Sequence, residues 1–77
     1  MNWDTFLGLI RNYAAAALKK RKSYAEPVRH IVALYVANVK EQALPADEEA
    51  KRIAAAQSAA LREYGREDST FSLTDAS

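Results

Sequence analysis

Apolar residues recur at helical spacing in three stretches of this chain, and the breaks between them are short, which confines the fold to packed helices. In the first stretch Trp3, Phe6, Leu7, Ile10, Tyr13, Ala14, Ala17 and Leu18 fall on one helical face. Asp4, Gly8, Arg11, Asn12, Ala15, Lys19 and Lys22 fall on the other. Asn2 is placed to cap this helix, Asp4 suits the positive end of its dipole and Lys19 to Lys22 suit the negative end. The pattern predicts a helix from Trp3 to Lys22.

Two signals mark the start of the second stretch, and they disagree. Ser23 and Glu26 have the spacing of a capping box, whereas Pro27 favours the first helical position and drives Glu26 out of the α region. Val28, Ile31, Val32, Tyr35, Val36 and Val39 form one stripe, widened by Leu34, and place the helix from Pro27 to Ala43. The Val and Ile content also suits a strand, but strict alternation is missing. Leu44-Pro45 then breaks the chain, and Asp47, Glu48 and Glu49 load the next start with the charge a helix N-terminus favours. Ala50, Ile53, Ala54, Gln57, Ala60, Leu61 and Tyr64 line one face of this third helix, Asp47/Lys51 and Glu48/Arg52 stand at i,i+4, and Gly65 supplies the stop. From Arg66 to Ser77 only Phe71 and Leu73 are bulky and apolar, so a flexible tail is expected after a three-helix domain over residues 1–65.

A 77-residue chain forms one domain of marginal stability, and without cysteine it has neither disulfides nor thiolate metal sites to support it. An intracellular, cytoplasmic location is the default for such a composition. The basic run follows the first apolar stretch instead of preceding it, which argues against a secretory signal. Uncharged runs such as Ile31 to Val39 fall far short of the roughly 20 residues a membrane-spanning helix needs. Membrane-surface association through the first helix is disfavoured too, because its apolar residues are needed for the core.

Charge is distributed unevenly: residues 1–40 carry seven lysines and arginines against two acids, net +5, and residues 41–77 carry four against eight, net −4. Such halves attract each other or different partners. Lys19, Lys20, Arg21 and Lys22 form the one dense cationic run, extended by Arg29 and Lys40 if the first two helices fold back antiparallel, and with Arg29 are the candidate nucleic-acid or anion site. Cations at a helix C-terminus are also simply stabilising, and acids at the start of the third helix would repel phosphates, so nucleic acid is not the favoured partner. His30 stands alone without a second ligand at metal spacing, and the adjacent Glu48 and Glu49 point about 100° apart on a helix, unsuited to act as an acid and base together. No catalytic, cofactor or metal residues are predicted, and the chain is not expected to be an enzyme.

The third helix has only Ile53, Leu61 and Tyr64 as large apolar groups, and the second is apolar over an arc wider than one neighbour covers. Both features favour a homo-oligomer. Val32, Tyr35, Val36 and Val39 are its candidate contacts, together with Phe71 and Leu73, whose alternation with Thr70, Ser72 and Thr74 suits an extended segment laid in a groove or on a sheet edge. The sequence therefore points to an all-α protein-binding module of adaptor, accessory or inhibitor type that covers a partner surface. A nucleic-acid-associated protein and an oligomeric binder of a small anion are the alternatives.

Overall fold

Each helix ends where local chemistry stops it, and the three ends together set the bundle. In the computed structural model, which describes residues 1–74, α1 spans Trp3–Lys20, α2 Ala25–Glu41 and α3 Ala46–Glu63, followed by a one-turn 3-10 helix at Gly65–Glu67. Asn2 caps α1 by accepting the Thr5 N–H at 2.8 Å. The helix stops at Lys20, two residues before the basic run ends, because Arg21 turns left-handed at φ 51°. That residue closes the helix as glycine usually does, at the expense of Cβ crowding.

The competing signals before α2 are resolved between the two starts they mark. The helix begins at Ala25, and the Val28 N–H donates to the Tyr24 carbonyl at 3.1 Å as its first turn closes. Pro27 is then a first-turn residue, where a missing N–H forfeits no helical bond. At the other end α2 stops at Glu41 rather than Ala43, because Ala43 is left-handed at φ 54° and Leu44, preceding Pro45, is biased to extended backbone. Gly65 has no positive φ, and α3 ends before it at Glu63. Of the two i,i+4 pairs, Glu48–Arg52 forms, at 3.4 Å.

Successive helices run antiparallel, and each packs against both of the others. The start of α1 meets the middle of α2 through Trp3, Phe6 and Tyr35, whose ring centroids lie 4.7 to 5.7 Å apart, and Tyr13 meets Tyr24 at 5.5 Å. The core is Phe6, Ile10, Ala14 and Ala17 from α1, Val28, Ile31 and Val32 from α2, and Ala56, Ala59, Ala60 and Tyr64 from α3 and its end. Two neighbours within the chain cover Val28, Ile31, Val32 and Val39 of the apolar arc of α2 and leave Leu34 exposed. Of the face predicted for α3, Ala60 and Tyr64 are buried and Ile53 is half-buried, but Ala50, Ala54, Gln57 and Leu61 are exposed, and Ala56 and Ala59 turn inward in their place. Both other helices pack against α3, and this line of methyl groups lets the bulky Phe6 and Ile10 approach it.

Candidate functional site

At the end of the bundle where α1 finishes, α2 begins and α3 finishes, one carboxylate ties the three together. Asp68 accepts from Ser23 Oγ at 2.6 Å and from the Tyr64 hydroxyl at 2.7 Å with one oxygen, and from the Thr70 N–H at 3.0 Å and its hydroxyl with the other. The Tyr64 hydroxyl in turn accepts the Tyr24 N–H at 2.6 Å. Burial pushes the Asp68 pKa up, but the hydrogen bonds from Ser23, Thr70 and Tyr64 outweigh it and hold the group down at about 2. Burial and the neighbouring carboxylate raise the Tyr64 pKa.

This latch folds the next residues back onto the helices. The Phe71 ring meets Tyr64 edge-on at 5.0 Å, Leu73 packs against the core, and the Arg29 guanidinium donates to the Ser72 carbonyl at 3.2 Å. Of the segment expected to be a tail, residues 66–74 therefore lie against the bundle. Residues 75–77 lie outside the described residues.

Beside the latch, α1 and the end of α3 enclose a groove of about 200 Å³. Its lining combines Ala14, Ala15 and Leu18 with Arg11, Glu63, Arg66 and Glu67. Glu63 accepts from Arg62 Nε at 3.1 Å and Arg11 Nε at 3.2 Å, with Arg66 4.0 Å away, and these arginines lower its pKa. Leu18 is 65% exposed, the most open of the large apolar side chains, followed by Leu61 at 47% and Leu34 at 44%.

The residues singled out in the sequence do not converge on one surface. Lys19, Lys20, Arg21 and Lys22 are exposed at the end of α1, with Lys22 5.4 Å from the Tyr24 ring centre. Arg29 lies across the bundle edge, half-buried, holding Ser72. Val32 and Val39 are buried inside the fold, since the face of α2 that carries them is the one α1 and α3 cover. Tyr35 and Val36 are half-buried against the core, as are Phe71 and Leu73. Leu18, Leu34 and Leu61, one on each helix, are exposed although each stands at the helical spacing of its own helix's apolar face. The Asp68 latch had one local signal, a Thr two residues after an Asp, which is an Asx-turn spacing.

Among the described residues no cluster of His, Asp and Glu is arranged to hold a metal ion, and no helix is long and apolar enough to cross a membrane. No known protein family, curated protein or solved structure matches this chain.

Proposed function

We propose that this chain is a small cytoplasmic protein-binding module that acts by covering a partner surface, not by catalysis, and that it self-associates. One observation carries the reading: three leucines, Leu18 on α1, Leu34 on α2 and Leu61 on α3, stay 44 to 65% exposed although the bundle already has a filled core. Fully burying a leucine side chain contributes about 1.5–3 kcal/mol, so each of these groups offers a partner an apolar anchor. Sedimentation equilibrium tests the self-association. The weight-average mass should rise above 8.5 kDa with concentration, and replacing all three leucines by glutamate should return it to the monomer without loss of helicity. A wild-type chain that remains monomeric at high micromolar concentration refutes it.

A second reading rests on Lys19, Lys20, Arg21 and Lys22, which are exposed and, among the described residues, in no ion pair. A phosphate-bearing ligand at this end, nucleic acid or small anion, would bind with a steep salt dependence. Replacing the four by glutamine should abolish a gel shift, and no shift of the wild-type chain at low salt removes the nucleic-acid form of this reading.

A further inference from the structure

One side of α2 is buried and the other is open. Val28, Ile31, Val32 and Val39 pack inside the bundle, while Glu26, His30, Ala33, Leu34, Ala37, Lys40 and Glu41 are all exposed on the opposite side. Alternating steps of four and three residues put Glu26, His30, Ala33, Ala37 and Lys40 along one line, with Leu34 and Glu41 on its flank. The middle of this face is apolar, and its charges stand at the ends. Glu26 lies seven residues before Ala33 and Lys40 seven after it, so two opposite charges are equally far from the centre.

A face with that symmetry is complementary to itself when turned end for end. Two such helices set antiparallel about Ala33 and Leu34 bring each Leu34 onto its counterpart and each Glu26 opposite the other copy's Lys40, while Glu41 falls beside Pro27. Parallel pairing would oppose Glu26 to Glu26 and Lys40 to Lys40. The charge of the whole bundle favours the same orientation. Residues 11–33 and 55–74, which make up the end where α2 begins, hold eight lysines and arginines against four acids, net +4, with Lys19 to Lys22 among them. Residues 1–10 and 34–54, at the other end, hold three against five, net −2, with Asp47, Glu48 and Glu49 among them. An antiparallel pair sets each basic end beside the other copy's acidic end.

We infer that two copies of this chain pair across the outward face of α2, antiparallel and two-fold symmetric, with Leu34 against its counterpart near the axis and Glu26 of each copy paired with Lys40 of the other. The inference rests on the self-association proposed above and gives it a face and an orientation. Such a contact uses the same patch on both copies, so it closes at two.

Oxidative cross-linking reads the orientation, because the chain has no cysteine and each variant below carries a single thiol. A disulfide needs Cα atoms within about 7 Å of each other. An equal mixture of Glu26→Cys and Lys40→Cys should give a disulfide-linked dimer, and Ala33→Cys should give one by itself. Neither end variant should do so alone, since in the antiparallel pair the two copies of either position stand about 20 Å apart along the helix axis. By sedimentation equilibrium Leu34→Glu should weaken the dimer at least tenfold, with Leu18→Glu and Leu61→Glu as variants that leave it in place. Leu34 is exposed in the single chain, so its replacement should preserve helicity. End variants that link to themselves as readily as to each other, or a dimer indifferent to Leu34→Glu, overturn the α2 pairing and leave self-association standing. A wild-type chain that stays monomeric at high micromolar concentration overturns both.

Discussion

Removing the Asp68 carboxylate should destabilise this protein more than any other change at its polar surface. In Asp68→Ala four hydrogen bonds disappear, from Ser23, Tyr64 and twice from Thr70, and the buried Tyr64 hydroxyl is left without an acceptor. The pKa gives the magnitude: a shift from 3.8 to about 2 corresponds to roughly 2 kcal/mol of preference for the charged form in the folded state. Loss of Tyr64's acceptor raises the total to about 2–3 kcal/mol, or roughly 10–20 °C in Tm for a domain of this size. The pH dependence has a definite sign. Because the folded pKa is lowered, the contribution is fully present above pH about 4 and is lost as pH falls toward about 2, so the wild-type and Asp68→Ala melts should converge across that window. Circular dichroism melts between acid and neutral pH measure this. A neutral-pH Tm within about 2 °C of wild type, or a gap that persists unchanged in acid, would refute the latch.

Truncation after Glu67 removes both Asp68 and the Phe71 ring that meets Tyr64, so it should lower Tm further than Asp68→Ala; an unchanged melt would mean that residues 68–74 contribute nothing to the fold. Ala43→Gly should stabilise by about 1 kcal/mol, since Ala43 is left-handed at φ 54° and glycine is free of the Cβ clash there; chemical denaturation would detect it, and a loss of stability would contradict the helix stop. Gly65→Ala should be neutral or stabilising by up to about 1 kcal/mol, because a Cβ there meets Phe71 at an ordinary 3.8 Å and the backbone has no positive φ; a large loss by the same assay would contradict the ordered turn. Phe6→Ala, emptying the centre of the core, should cost about 3–5 kcal/mol and leave the chain largely unfolded, readable as lost helicity at room temperature.

Helical periodicity exposed the architecture because Phe6, Ile10, Val28, Ile31 and Val32 are large and strictly spaced, so one face of α1 and one of α2 could be assigned. The face of α3 resisted the same logic. Alanine fits on either side of a helix, and the line that packs, through Ala56, Ala59 and Ala60, was selected by the bulk arriving from α1 and α2 and not by its own hydrophobicity. Helix ends shifted by about two residues for a related reason: Arg21 and Ala43 adopt left-handed backbone without being glycine, a choice imposed by chain reversal and invisible in residue type. The C-terminal segment looked too polar to order, yet Asp68 is ordered by Ser23, 45 residues away in sequence, and its polarity is what holds it down. The groove lay beyond the sequence altogether, since it depends on Arg11 and Arg66 meeting at Glu63.

The claim that this chain works by covering a partner through its uncovered leucines is tested most directly by site-specific photocrosslinking in the cells that encode it. A photoreactive residue is placed at Leu18, Leu34 or Leu61, with exposed, polar Ser58 as the control position. The account predicts discrete protein adducts, to a second copy or to a partner, from at least one leucine position and not from Ser58. Adducts no more abundant than at Ser58 from all three leucine positions would contradict it.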